Sequence, residues 1–476
     1  MEFTWSFFID IGLVSTALLG ATYLRTRVRF LQTYLIPNAI TAGFLLLPLY
    51  NYASNLLELS ADNLGELVYH LMSISFIAIT LRASESTRDR GTRGISGTTV
   101  SVVFQYGAQA FLGLLLTWVL MNTILPDLFP AFGFFVPLGF ALGPGQAFAI
   151  GRGWEAFGFS GAGSVGLTFA AVGFLLASFG GVFMVNYGYR KGWSDRDTAK
   201  ATGRPDHRKG FYSRGHERPV GSRQTSVSEA IDTMSLNIGM IFATYLLSYL
   251  LLRGVTSALI ATGELGADLA VNLWGLNFVF AVITAMLVKR VLLAFGWHDA
   301  LDTGTLTRLA GGSVDLMVAS AVGAISLVVV RQYWLPILVI SVTVGVFVFV
   351  SVPWMASRLF QTHRFHRALI IFGGMTGTLP TGLALLRMVD PDFETPVASD
   401  YVFTSAVVFA LVIPLILAIN LPAYSVSRGE PVLFFAALAL VAGYVVATGV
   451  AYRILAGKRA FSTPSSIWLR DTADPA

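Results

Sequence analysis

Two apolar stretches of the sequence are interrupted in a similar way by glycine, proline and polar residues. The first, GFALGPGQAFAIGRGW, covers residues 139–154, and the second, GGMTGTLPTGLALLR, covers residues 373–387. Glycine lets backbone amides and carbonyls approach a ligand, and the start of a half-helix offers an anion free N–H groups and the positive end of its dipole. Exposed carbonyl oxygens suit Na⁺. These residue types therefore predict a binding site for a small anion and a cation.

The two turns contain the candidate binding residues. These are Gly143, Pro144, Gly145, Gln146 and Ala147 in the first stretch and Thr376, Gly377, Thr378, Pro380, Thr381 and Gly382 in the second. The three threonine hydroxyls are candidate oxygen donors for an ion or a substrate. The competing interpretation is a pair of glycine-kinked helices that pack closely through small residues, as is common in membranes. We favour the binding site because position, polarity and symmetry agree.

Four further polar residues are candidates in or near apolar segments. Arg152 and Arg387 follow the two turn prolines by eight and seven residues. An arginine at membrane depth is costly and is a candidate partner for a substrate carboxylate, although either side chain could instead extend to the membrane interface. Asp315 lies near the predicted start of a span, where it either complements a helix N-terminus or binds a cation. Asn38 follows Pro37, and this helix-breaking pair can leave backbone carbonyl oxygens exposed toward the binding site.

Other motifs indicate packing and not chemistry. Residues 161–166 match GxGxxG, but no strand precedes them, and helix packing explains the glycines better than dinucleotide binding. His363 and His366 lack carboxylate or cysteine partners, so the sequence predicts no metal site. Gln105 and Gln109 share a helix face, which favours interhelical hydrogen bonds. We expect no enzyme, no ATP-driven pump, no cofactor and no nucleic-acid partner.

The composition is that of an integral membrane protein. Of the 476 residues, 55% are hydrophobic and 12% are charged, and the mean hydropathy is +0.68. A soluble domain contains about 25% charged residues. Cysteine is absent, which excludes disulfides and thiolate chemistry. The first apolar run, residues 5–24, lacks a basic region and a cleavage site, so we expect it to be retained as a helix.

Apolar runs of about 20 residues bounded by charge predict the membrane spans. In the first half they cover residues 5–24, 34–50, 67–81, 97–125 and 162–186, with the interrupted stretch 131–154 before the last. In the second half they cover residues 230–253, 267–288, 313–332, 333–356 and 401–423, with the interrupted stretch 366–389 before the last. We expect two transmembrane domains, 1–186 and 229–424, joined by a basic linker, 187–228. An extra span, 432–453, precedes a tail, 454–476.

The distribution of positive charge predicts how the chain crosses the membrane. With the N-terminus outside and each interrupted stretch returning to its own side as a re-entrant hairpin, 27 of the 32 Lys and Arg residues lie in inside loops. Ten of them lie between Arg190 and Arg223. The fold class that follows is an all-α polytopic membrane protein with two inverted five-helix repeats, each with a re-entrant hairpin, plus one extra helix. Arrangements of this kind place a binding site where the two hairpins meet.

The residues of these stretches resemble the bacterial sodium/glutamate symporter family. The similar segments are FLQTYLIPNAITAGFLL, GPGQAFAIG with the following GFSGAGSVGLTFAAVGFLLASFGG, and FGGMTGTLPTGLAL, whose Gly377 and Pro380-Thr381 match that family's second hairpin. The resemblance implies ten spans in two inverted repeats, Na⁺-coupled glutamate uptake, a homodimer and an elevator movement. The sequence departs from the family's Gly-Gly-His-Gly-Thr-Gly at the first loop and has Leu385 where the family has a polar Asn.

Together these features predict a sodium-coupled symporter for glutamate or a related carboxylate in the bacterial inner membrane, with the C-terminus inside. The basic linker is expected to contact anionic lipid. Two alternatives remain open. One is a proton-coupled carrier, or a carrier of another substrate, with the same fold. The other is a non-transporting receptor or accessory subunit, in which the linker binds a partner.

Overall fold

In the residues that it describes, the computed structural model has helices and no strands. These are residues 5–34, 36–54, 59–82, 92–193, 210–211, 220–263, 266, 270, 273–390 and 395–469. Ten helices in this part of the chain are long and apolar enough to cross a membrane. The prediction of an all-α polytopic membrane protein is confirmed at this level. Most of the predicted basic linker and the start of the predicted span 267–288 lie outside the described residues.

The helices follow the order of the predicted spans. Those of the first half are α1 (Ser6–Arg27), α2 (Asn38–Tyr52), α3 (Ala61–Leu81), α4 (Thr92–Met121), α5 (Pro144–Glu155) and α6 (Ala162–Lys191). Those of the second half are α7 (Thr233–Ile260), α8 (Asn277–Ala294), α9 (Thr303–Gly323), α10 (Leu327–Leu359), α11 (Arg364–Leu386), α12 (Val397–Ala418), α13 (Leu421–Ser427) and α14 (Val432–Ala456).

Short polar side chains fix where several of these helices begin. Asp232 precedes α7, and its carboxylate accepts the N–H of Ser235 at 2.7 Å. This hydrogen bond stabilises the ionised carboxyl and lowers the pKa of Asp232. Asp302 precedes α9 and accepts the N–H of Thr305 at 2.7 Å. Each cap satisfies a donor that the first helical turn leaves without a partner.

The bounds predicted for the span 313–332 are wrong, while its predicted boundary with the span 333–356 coincides with a kink in α10 at Tyr333. The cap at Asp302 starts α9 ten residues earlier than predicted, and α9 ends at Gly323. Ser326 then caps α10, so Arg331, which falls inside the predicted span 313–332, lies within the next helix. Asp315 consequently lies in the middle of α9 and does not complement a helix N-terminus.

Two predicted spans are not among the ten apolar helices. The helix α2 has only 15 residues, and α9 contains Arg308 and Asp315. The ten apolar helices include α11, which contains the second interrupted stretch and was not predicted as a full span. The extra span predicted at residues 432–453 is α14, which extends three residues further.

The helices pack into two groups. The first helix group contains α1, α2, α3, α7, α8 and α9, and the second contains α4, α5, α6, α10, α11, α12 and α14. The groups meet mainly where α5 lies against α3 and α9. At this contact Gly145 packs on Met72 and Gly65 packs on the ring of Phe148. Each group therefore contains helices from both halves of the chain.

Candidate functional site

The first interrupted stretch is two short arms joined at Gly143. A π-helical turn, Pro137–Leu142, ends there, and α5 begins at Pro144. The φ angle of Gly143 is +106°, a conformation that favours glycine because it has no Cβ. The ring centroids of Phe135 and Trp154 lie 4.9 Å apart although 19 residues separate them. The two arms therefore lie side by side, and we call residues 131–154 the first hairpin.

The second interrupted stretch is also broken, between Gly377 and Thr378 within α11. Thr378 has a φ angle of +70°, which is rare for a β-branched residue and indicates a backbone held by its surroundings. A Cβ atom placed on Gly373 would lie 2.6 Å from the Cα of Gly382. Residues nine apart in a straight helix would lie more than about 13 Å apart. Residues 366–389 thus double back, and we call them the second hairpin.

The two breaks meet. A Cβ atom placed on Gly143 would lie 2.8 Å from Cγ2 of Thr378 and 3.7 Å from Oε1 of Gln146. Because α5 starts directly after Gly143, its first N–H groups, on Gly145 and Gln146, have no acceptor within the helix and face this contact. The positive end of the α5 dipole and the strained turn at Thr378 therefore lie next to each other.

One helix, α6, supports both hairpins through small residues. A Cβ atom on Gly166 would lie 2.5 Å from the carbonyl oxygen of Ala147, and one on Gly173 would lie 2.4 Å from that of Thr376. A Cβ atom on Gly377 would lie 2.8 Å from Cβ of Ala177. Residues without a large side chain let the three backbones approach closely. Close packing through small residues is thus present, and it does not exclude a binding site at the same breaks.

Buried polar atoms without a protein partner lie beside the breaks. Gln146 is 2% exposed, and its Nε2 donates to no protein atom. Gln109, on α4, donates from Nε2 to the carbonyl oxygen of Met375 at 3.0 Å, while its Oε1 has no protein partner. Ser178 follows Ala177 on α6, and its buried hydroxyl also lacks one. A buried polar group without a partner is costly, so these atoms make the contact of the two breaks a candidate site for a polar ligand.

The interhelical hydrogen bonds predicted for the two glutamines of α4 are confirmed. Gln105 donates to Ser351 of α10 at 2.9 Å, and Gln109 reaches the second hairpin. Sequence reasoning did not place Gln109 or Ser178 in the site. The sequence offered a reason to consider Gln109, since it is an amide side chain within a long apolar run. It offered none for Ser178, which is one hydroxyl in a helix rich in small residues.

The remaining turn residues differ in accessibility. Thr376 and Thr381 are buried, and the hydroxyl of Thr376 donates to the carbonyl oxygen of Phe372 at 2.7 Å. Thr378 is half-buried, and Pro380 is exposed. The second hairpin is therefore accessible at Thr378 and Pro380, directly after its break, while Thr376 and Thr381 on either side are enclosed.

A model of the sodium/glutamate symporter family matches residues 8–389. The chain belongs to this family. The match contains both hairpins and confirms the resemblance that the sequence indicated. It ends before α12, so α12, α13, α14 and the C-terminal tail lie beyond it. No curated protein and no solved structure matches the chain at a significant level. Membership in a transporter family supports the expectation that the chain is not an enzyme.

The structure of this symporter-family chain does not bring the predicted charged candidates to the breaks. Arg152 lies in the last turn of α5, nine residues from Gly143, and pairs with Glu155 at 3.0 Å and Asp62 at 3.7 Å. It borders a cleft of about 330 Å³ between α3, α5 and the segment before α8. Arg387 follows α11, nine residues beyond Thr378, and is exposed.

The two cation candidates also lie elsewhere. Asn38 begins α2, and its Nδ2 donates to Oγ1 of Thr22 on α1 at 3.1 Å. The carbonyl of Pro37 accepts the N–H of Thr41, so this proline does not expose a free carbonyl toward the hairpins. Asp315 is exposed on α9. Among the described residues no cluster of three metal-binding side chains occurs.

Proposed function

We propose that the protein is a sodium-coupled symporter for glutamate or a closely related anionic amino acid. The observation that supports this most directly is the contact of the two helix breaks at Gly143 and Thr378. The family match supports the substrate and the coupling ion. A substrate between the breaks would receive N–H groups from the start of α5, and Gln146 would donate to it from its unpartnered Nε2.

The chemistry of the breaks fits an anionic amino acid without a nearby arginine. The starts of α5 and of the second arm of α11 each offer the positive end of a helix dipole to a carboxylate. The carbonyls that end the first arms and Oε1 of Gln109 are acceptors for an ammonium group or Na⁺. Both carboxylates of the substrate would thus be held by helix starts, and its amino group by oxygen atoms.

We propose further that the two hairpins are re-entrant and belong to an inverted repeat. The first three helices of each half lie in the first helix group, and the fourth helix, the hairpin and the fifth helix of each half lie in the second. This division supports an internal repeat. If the two repeats cross the membrane in opposite directions, their hairpins enter from opposite membrane faces and can meet at the midplane. Each hairpin would then gate the site on its own side.

Movement of the second helix group along the first would carry the site across the membrane. Their contact is formed by small residues, such as Gly65 and Gly145, and by an exposed ion pair between Arg152 and Asp62. An interface of this kind has few strong bonds to break during sliding. The first helix group is the surface on which we expect a homodimer to form.

The protein is proposed to lie in the bacterial inner membrane with its N-terminus outside and its C-terminus inside. Basic residues at the ends of α1, α3 and α6 and in the predicted linker support this orientation, and we propose that the linker contacts anionic lipid.

The direct test is uptake of labelled glutamate into proteoliposomes with and without an inward Na⁺ gradient. We expect uptake above equilibrium only with the gradient, and the same assay with a proton gradient tests the alternative coupling. Indifference of every transported amino and organic acid to Na⁺ would contradict the proposed coupling. Absence of any uptake, combined with an effect of deleting residues 194–223 on binding of another protein, would favour the receptor alternative.

A further inference from the structure

Residues 457–469, which follow α14, lie across one end of the second helix group, and we call them the C-terminal strap. Arg358, near the end of α10, is 1% exposed. Its Nη2 donates to the carbonyl oxygens of Ser462, Thr463 and Ser466 at 3.1, 2.8 and 2.8 Å. A buried guanidinium needs such acceptors, because without them its charge would be left without partners. These bonds fix the middle of the strap to α10.

The end of the strap packs on the base of the second hairpin. The ring of Trp468 stacks on that of Trp193 with centroids 4.7 Å apart and planes 10° apart. The ring of Phe365 lies 6.1 Å from Trp468 and 6.2 Å from Trp193. Arg364 donates to the carbonyl oxygen of Leu469 at 3.4 Å. The strap therefore joins α10 to the first residues of α11 and to the end of α6, where the predicted linker begins.

The ring of Phe365 is enclosed from two sides. It is 2% exposed, and a Cβ atom placed on Gly188 of α6 would lie 2.4 Å from it. Trp468 covers it on the side of the strap. The helix α11 is continuous from Arg364 to Thr376 and includes the first arm of the second hairpin, so a displacement at the tip of this arm requires a displacement or a tilt at the start of α11, where Phe365 lies. Such a movement separates Phe365 from Trp468.

We propose that the strap is an inhibitory clamp on the second hairpin. Trp468 must leave the rings of Trp193 and Phe365 before the hairpin opens toward the face on which the strap lies. This inference rests on the proposed function, in which the hairpins are gates. The strap lies beyond the residues that the family match covers, so the clamp is assigned to this chain and not to the family.

The test uses the absence of cysteine from the natural sequence. A single thiol is introduced by Leu379→Cys, beside the break of the second hairpin, in the full-length protein in membrane vesicles. A membrane-impermeant maleimide is added on the side of the strap, and the labelling rate is measured without substrate. We expect Trp468→Ala to raise this rate at least fivefold. Labelling requires no transport, so it tests the clamp even if the proposed substrate or coupling is wrong.

Matched variants separate the clamp from a general loss of structure. Ile467→Ala removes a neighbouring strap side chain that is 40% exposed, and we expect the parental labelling rate. Trp468→Phe keeps an aromatic ring and should restore a rate near the parental one. Trp193→Ala removes the stacking partner and provides a second test if Trp468→Ala does not fold. The proposal is overturned if the folded alanine variants at Trp468 or Trp193 label at the parental rate, or if Ile467→Ala accelerates labelling equally.

Discussion

At the scale of single residues, the site depends on a glycine whose conformation and surroundings both exclude a side chain. Gly143 has a φ angle of +106° and faces Thr378. We expect Gly143→Ala to abolish Na⁺-driven uptake, because with a ψ angle of 177° this backbone lies in a region essentially restricted to glycine, which costs other residues about 1–3 kcal/mol, and because the new methyl group overlaps Thr378. Initial uptake rates in proteoliposomes measure the effect.

A second glycine provides the control for this substitution. Gly158 has a φ angle of +91°, but a Cβ atom placed there would meet nothing within 4 Å. Gly158→Ala therefore has the backbone strain without the overlap, and we expect it to lower stability slightly and to leave uptake largely intact. Equal losses of uptake in the two variants would mean that strain alone, and not the contact of the breaks, explains the effect.

The unpartnered amide of Gln146 makes a prediction that separates function from stability. Gln146→Leu removes a buried donor whose desolvation costs about 1–3 kcal/mol when it has no partner. We expect the melting temperature to stay constant or rise, while KM for substrate increases about tenfold, equivalent to about 1.4 kcal/mol. Thermal unfolding in detergent and uptake kinetics are the two measurements.

Gln105 is the matched control, because it is also a buried glutamine, but its Nε2 donates to Ser351 whereas that of Gln146 has no protein partner. Gln105→Leu should lower the melting temperature and leave KM unchanged. A lower melting temperature with unchanged KM for Gln146→Leu would instead assign that side chain to structure.

At the scale of elements, a buried ion pair joins the second hairpin to α12 and α4. Nη2 of Arg367 lies 2.6 Å from Oδ2 of Asp400, and the two side chains are 5% and 2% exposed. The guanidinium also lies over the ring of Phe360, with its Cζ 5.0 Å from the centroid, and near Thr98 of α4. The pair therefore holds the first arm of the hairpin in place against α12 and α4.

Breaking this pair should destabilise the protein strongly. Asp400→Asn leaves the Arg367 charge buried without a counterion, and we expect a loss of about 3–5 kcal/mol. Asp62→Asn breaks the pair of Asp62 and Arg152, in which the side chain of Arg152 is 51% exposed and that of Asp62 is 77% exposed. This change should lower the free energy of unfolding by less than about 1 kcal/mol. Denaturation of the two variants in one detergent compares them, and similar losses would show that burial does not determine the strength of these pairs.

At the scale of the whole molecule, the proposed sliding of the two helix groups can be arrested by a crosslink. A Cβ atom placed on Gly275, before α8, would lie 3.8 Å from the Cα of Ile150 on α5. We expect Gly275→Cys combined with Ile150→Cys to form a disulfide under mild oxidation, because the two backbones are within the range that a disulfide spans. The crosslink should stop uptake, and a reductant should restore it.

Single-cysteine variants control for the substitutions themselves, since they cannot form the bond in this otherwise cysteine-free chain. Uptake at the full rate in the oxidised double variant, with the disulfide verified by a mobility shift, would show that the two helix groups do not move apart at this contact.

The sequence by itself determined the membrane class, the order of the helices, the position of both helix breaks and the family. These properties depend on local hydropathy, charge and backbone conformation. A helix-breaking glycine such as Gly143 can therefore be identified from the residues next to it in the sequence, without knowledge of its neighbours in space. It placed the start of α9 wrongly, because the cap at Asp302 outweighed the apolar run that follows.

Only the tertiary structure placed Gly143 against Thr378, buried the pair of Arg367 and Asp400, and moved Arg152 away from the breaks. It also placed Trp468 on Phe365. The physical reason is that these contacts join residues that are far apart in the chain. Which side chains meet there depends on how the helices pack, and neither hydropathy nor residue spacing specifies that packing.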